Sequence, residues 1–398
     1  MEHSRTAQTG ADEAARGYGD VDELDLVLVN ALQLRPRATW TELAPILRVD
    51  AVTLARRWRR LVHGGRAWVT CYPRLGHLAD TDGGLALIEV DAARAALHDV
   101  AARLADDPHA VSVERVTGGH DLLVSVMAAR MPDLLSYVQH RFTEIPGVLA
   151  TRTHLVTRLY TEAGGWRLRA LDAAQRAALA ALPRPRPAAA SLAPSDPELI
   201  VALAADGRAS HTDLAAATGT STTTVARRLQ RLASADLVRL RCEVAQPISG
   251  WPIRASLWLR VPPAALDATA RQLAGNPEVR VVAAVAGHAN LFLGVWLRQI
   301  SDVPRLEVEL LGRFPDIGVV DRSVTVGTAK QMGRVLDERG FAARYVPLTV
   351  WDATEAPVRA ADAPAPAART APPDPRSEIR HPVGNAATST VNLTETPL

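Results

Sequence analysis

The stretch Thr53–Val62, TLARRWRRLV, sets four arginines around one tryptophan, and Thr224–Ala233, TVARRLQRLA, repeats its frame further along the 398-residue chain. A shift of 171 residues aligns the two without a gap and carries Thr39 onto Ser210, Glu42 onto Asp213, Leu43 onto Leu214 and Cys71 onto Cys242. Agreement of apolar spacing over this length is more than an arginine-rich composition would give. The stretch therefore belongs to a repeated unit, and the fold is read outward from it.

Upstream, DELDLVLVNAL places Leu24, Leu28 and Leu32 at the four-residue period of a helix. Thr39 with Glu42, and Ser210 with Asp213, have the spacing of a capping box and start a second helix in each copy. Asp50 and Ser221 are N-cap residues for a third. Leu54, Trp58 and Leu61, matched by Val225, Leu229 and Leu232, form its apolar stripe, so Trp58 is expected in the core and not stacked on a base. That leaves Thr53, Arg56, Arg57 and Arg60, with Thr222, Thr223, Thr224, Arg227, Arg228 and Arg231, on the outer face. Two short helices, a brief turn and a third helix with an Arg/Thr face make a helix-turn-helix, whose last helix can place short polar side chains and Arg against base edges and phosphates.

Charge separates the copies. Arg35–Arg74 holds nine Arg against Glu42 and Asp50, a net +7, whereas Asp206–Ala245 holds six Arg against Asp206, Asp213, Asp236 and Glu243, a net +2. Phosphate neutralisation dominates affinity for DNA, so the first unit is expected to bind more strongly.

After each helical unit the pattern is strand, helix, strand, strand, helix, strand. In the first copy the strands fall at Leu85–Val90, Val111–Val116, Leu122–Met127 and Val148–Val156, with helices near Ala92–Leu104 and Pro132–Phe142. This is a ferredoxin-like βαββαβ arrangement with one sheet face left to pack on a second sheet. The predicted fold is α+β. It runs as a disordered tail (1–20), a helix-turn-helix (21–74), a ferredoxin-like domain (82–169), a linker with a connector helix (170–195), a second helix-turn-helix (196–245), a second ferredoxin-like domain (252–340) and a disordered tail (346–398).

The whole pattern resembles the Lrp/AsnC, or feast/famine, family of transcription regulators. The residues that carry the likeness are TELAPILRVDAVTLARRWRRLVHGGRAW and, more closely, TDLAAATGTSTTTVARRLQRLASADLV, whose Gly219, Ser221 and Val225 stand where the family places Gly, Ser and Val. Arg48 and Asp50 replace the first two in copy one. The resemblance implies a winged or three-helix DNA-binding domain and a ferredoxin-like RAM sensing domain. It also implies double-stranded DNA and a small effector, such as an amino acid, as partners. Its sensing loop maps onto Gly118, Gly119, His120 and Asp121, and onto Gly287, His288, Ala289 and Asn290. An acid at Asp121 could pair with an effector ammonium where Asn290 could only hydrogen-bond. The same residues also suit plain hairpin turns, and both readings stand. Siroheme decarboxylases, tetrapyrrole enzymes of the same architecture, are the alternative that the resemblance implies.

The remaining chain narrows the function further. The overall net charge is +2 and Lys330 is the only lysine. Two cysteines, Cys71 and Cys242, are too few for a disulfide framework or a four-cysteine zinc site, and are expected as buried thiols. His63, His120 and His288 are expected at the surface or in turns, with no His spacing that predicts a metal. No nucleotide-binding or hydrolase motif occurs, and no apolar run is of membrane-spanning length. A cytoplasmic, non-enzymatic regulator without cofactor is expected, assembling as an intramolecular pseudo-dimer, a homo-oligomer, or both.

Overall fold

The computed structural model describes residues 21–74 and 83–348; both expected disordered tails lie outside these, except for residues 346–348. Three helices open the chain, α1 (Glu23–Leu34), α2 (Trp40–Leu47) and α3 (Ala51–His63), followed by β1 (Ala67–Pro73). Next come β2 (Gly84–Ala92), α4 (Leu97–Asp106), β3 (Ala110–Val116), β4 (Leu122–Ala128), α5 (Met131–His140) and β5 (Val148–Thr161). The connector helix α6 (Ala173–Ala181) follows, with a capping box from Asp172 and Gln175.

The same order then recurs. Its helices are α7 (Asp196–Ala205), α8 (His211–Ala217) and α9 (Thr222–Ser234), leading into β6 (Val238–Val244) and β7 (Ile253–Arg260). The elements α10 (Leu266–Leu273), β8 (Val279–Ala286), β9 (Leu291–Leu297), α11 (Asp302–Arg313) and β10 (Gly318–Gln331) complete it. A short hairpin of β11 (Arg334–Leu336) and β12 (Ala342–Tyr345) ends the described chain.

Pairing joins the two sets. β1 runs antiparallel to β6, with Thr70 opposite Arg241 and Cys71 opposite Leu240. The first four-stranded sheet has the order β3-β4-β2-β5 and the second β8-β9-β7-β10. β5 pairs with β8, and β10 pairs with both β7 and β3, so the eight strands close into a ring. Closure removes the sheet edges, and an eight-stranded barrel encloses just enough room for side chains or one small ligand.

Strand alternation sorts the side chains between two faces. Ile88, Val90, Leu122 and Val124 point outward and form a core with Val100 and Leu104 of α4 and Leu134 of α5. Leu257, Leu259, Leu291 and Leu293 do the same beneath α10 and α11. The alternate positions, among them Leu87, Leu123, Trp258, Ala283 and Phe292, point into the barrel.

The helical cores are exchanged between the two sets. The core of α1–α3 takes in Cys242, Val244 and Ile248, and that of α7–α9 takes in Cys71. Both cysteines are buried thiols, and burial pushes Cys71 up to about 12.

Candidate functional site: two helix-turn-helix faces above a barrel cavity

Each third helix starts as its sequence dictates. Asp50 accepts from Thr53 N at 2.7 Å and Ser221 from Thr224 N at 3.2 Å. Both second helices carry full capping boxes, Thr39 with Glu42 and Ser210 with Asp213. The turn before α3 places Arg48 at φ 56°, and the turn before α9 places Gly219 at φ 60°. The two turns therefore share a left-handed residue, at a cost of about 1–2 kcal/mol for the arginine.

The expectation that six arginines face solvent needs correction at three: Arg228 is buried and Arg57 and Arg231 are half-buried, while Arg60 stays exposed although it is paired. Asp25, fully buried on α1, is paired with Arg57 at 2.9 Å and with Arg60, and Arg57 also reaches Asp22 at 2.7 Å. Asp22 and then Asp25 raise the Arg57 guanidinium above its ordinary value. Asp196, also fully buried, is paired with Arg231 and lies 3.5 Å from Arg228, which donates to Ser195 O. Arg228 is itself buried. A buried carboxylate is tolerated only when paired, so these four arginines secure α3 to α1 and α9 to α7.

Arg56 and Arg227 are exposed, as expected. Val52, 75% exposed, and exposed Arg59 complete the outer face of α3 beside half-buried Thr53. Thr222, Thr223 and Gln230 do so on α9, where Thr224 is half-buried and bonded to Ser221 Oγ at 2.9 Å. Arg59 was missed by the motif reading, although Val52, Arg56 and Arg59 share one helix face by spacing.

A reciprocal clasp ties the helical units together. Arg37 donates to Gly207 O at 2.7 Å and Ala209 O at 3.0 Å, while Arg208 donates to Pro36 O at 2.6 Å and Ala38 O at 2.9 Å. Arg208 also lies over Trp40, 4.1 Å from the ring centre. Burial lowers Arg208 to about 10, which leaves it charged at neutral pH.

The two tetrapeptide loops occupy matching places at one end of the barrel. Asp121 Oδ2 accepts from Ala92 N at 2.9 Å, and Asn290 Oδ1 accepts from Val261 N at 2.9 Å. Both side chains thus pin the end of a neighbouring strand, and Gly118 adopts φ 104°. Gly119, Gly287 and His288 are exposed, whereas Ala289 is buried. His120 lies in its expected turn but is buried there, against Glu89 of β2.

Toward the other end of the barrel lies a cavity of about 130 Å³. Its wall is mainly apolar, including Leu87, Leu123, Met127 and Phe292, with Ser112, Ser125 and Ser256 as neutral polar groups. Arg254 stands 3.1 Å from Glu114. Arg280 is buried on the Trp296 ring, 3.5 Å from its centre, with Glu243 3.6 Å away. Glu243 is shared with Arg241 and with Gln331, which donates to it at 2.8 Å. Burial pushes Arg280 well below its ordinary value. Arg280 Nε and Trp296 Nε1 have no hydrogen-bond partner, so this cavity wall has donors to spare. Nothing in the local sequence marked it, because its residues meet only when the ring closes.

Residues 85–166 match the Lrp/AsnC ligand-binding domain, and residues 195–233 match the AsnC-type helix-turn-helix domain. The chain thus carries two kinds of domain found in the Lrp/AsnC family. An uncharacterised HTH-type transcriptional regulator of Pyrococcus horikoshii is 27% identical over 143 residues, covering 35% of this chain and 87% of its own. A counterpart from Pyrococcus abyssi is 25% identical over 142 residues, covering 34% and 86%. In overall fold, the crystal structure of the siroheme decarboxylase NirDL is similar at a TM-score of 0.50 and 13% identity, covering 82% of this chain and 95% of that one. The two matches are to a ligand-binding domain and a helix-turn-helix domain. Among its described residues no helix is long and apolar enough to cross a membrane.

Proposed function

We propose that the chain is a sequence-specific transcription regulator. Its two helix-turn-helix units read DNA as an intramolecular pseudo-dimer, the product of tandem duplication, and a small effector bound in the barrel cavity controls them. The observation that carries this reading is the division of labour among the arginines. Arg57, Arg60, Arg228 and Arg231 are consumed in ion pairs, while Arg56, Arg59 and Arg227 stand free on the outer faces beside Thr53, Thr222 and Thr223.

A cavity this size compares with one that takes up benzene, which suits an amino acid or a related metabolite. Arg280 would receive the carboxylate, and Glu114 with the serines would receive an ammonium group. The tetrapyrrole reading has the whole-chain fold likeness behind it, but the cavity is far smaller than a macrocycle.

A gel-shift titration with DNA from upstream of the gene against a scrambled duplex, at two salt concentrations, tests the proposal. Tight, salt-dependent binding that favours the native fragment supports it. Failure to bind either duplex at low salt, together with a visible absorbance change on titration with a tetrapyrrole, would replace it with the enzymatic reading.

A further inference from the structure

We infer that His120, Glu89 and Asp321 form a site for one divalent transition-metal ion of the zinc class, at the seam where the two sheets meet. His120 Nδ1 lies 3.6 Å from Glu89 Oε1 and 3.9 Å from Asp321 Oδ2, and one donor atom of each residue lies within 4.8 Å of the others. Bonds of about 2.0–2.2 Å in a tetrahedral site put donors roughly 3.3–3.6 Å apart, so the two histidine–carboxylate pairs need to close by a few tenths of an ångström, and the two carboxylates by up to about 1.5 Å. An imidazole with two carboxylates favours zinc and its neighbours over magnesium or calcium.

The surroundings point the same way. His120 and Glu89 are buried, while Asp321 is one-third exposed and leaves an approach from solvent. Glu89 offers its second oxygen to buried His154, whose Nε2 lies 3.6 Å away. Neither ring nitrogen of His154 has a hydrogen-bond partner, and the ring rests on Trp258 at 4.2 Å between centres. His154 is thereby placed to orient the carboxylate. Arg152, 3.7 Å from Glu89, offsets part of the negative charge.

The matching half supplies the control. The 169-residue offset carries Glu89 onto Trp258, His120 onto Ala289 and Asp321 back onto Arg152. The same hairpin is thus built there without an acid or an imidazole, so the fold itself does not require them. One ion per chain follows.

The test uses the untagged full chain, stripped with chelator and dialysed against zinc, with bound metal counted by mass spectrometry and cobalt followed by its visible bands. Retention of one ion per chain is expected. His120→Asn and Asp321→Asn should each weaken binding about 10-fold or more, and His154→Gln within the roughly 10–100-fold range of orienting partners. His211→Ala, at an exposed position on α8, should leave it unchanged. Asp321 is partly exposed and Asn has its shape, so that variant keeps the test interpretable if His120→Asn misfolds. Less than about 0.1 ion per chain, or equal binding by wild type and Asp321→Asn, overturns the site. No DNA is present, so the outcome is separate from that of the regulator reading.

Discussion

Arginines in one helical run do two different jobs, and which job each does is decided 32 to 35 residues upstream. Asp25 and Asp196 are buried on their first helices and demand cations. Asp25→Asn should cost about 1.5–3 kcal/mol in urea unfolding, the usual worth of hydrogen bonds to a charged group, because Arg57 and Arg60 keep access to water. Arg56→Ala and Arg59→Ala should stay within about 0.5 kcal/mol of wild type while weakening DNA binding. An Arg that grips phosphate should weaken all sequences alike, and one that pairs with guanine should cost about 1–3 kcal/mol at a single base pair. Gel shifts on a panel of single-base variants separate these outcomes. Lys330 gives a pH signature. It is buried, donates to Asp107 O at 2.6 Å, and burial lowers it to about 7. An unfolded lysine keeps its proton to about pH 10.4, so between pH 7 and 9 the unfolded state holds more protons. Stability should therefore rise with pH across that window. Lys330→Met should flatten the rise in denaturation curves.

At the scale of elements, helix starts, strand positions and the order of the elements were all legible, because caps and apolar periods are local signals. Asp50, Ser221 and both capping boxes act where the sequence puts them. The arginine ion pairs were not legible, since a helical face shows which residues leave the core but not what waits outside it. A signal did exist: Asp25 and Asp196 occupy matching places in otherwise apolar helices. The metal-binding cluster escaped for a different reason. Its three residues lie on β2, on the loop after β3 and on β10, far apart in the chain. A spacing motif sees only ligands that share one local segment. The turns before α3 and α9 allow a direct comparison. Gly219→Ala should cost about 1–2 kcal/mol, from conformation alone, because nothing lies within 4 Å of the added carbon. Arg48→Gly should gain up to about 1 kcal/mol, once the entropy of the glycine is set against relief of strain. Thermal unfolding checks both signs.

On the scale of the whole molecule, the β1–β6 ladder and the Arg37/Arg208 clasp fix one reading unit against the other. Removing both arginines should lower affinity for a fragment with two half-sites and leave that for a single half-site nearly unchanged, as measured by gel shift on matched duplexes. The closed ring has one more consequence. A reader assembled from two identical subunits falls apart on dilution, and every substitution in it appears twice. In the pseudo-dimer proposed above both helices lie on one polypeptide, so occupancy of the operator should follow protein concentration to the first power. Each helix is also free to drift alone. The two windows carry +7 and +2, and under that proposal the DNA they select has no reason to be a palindrome.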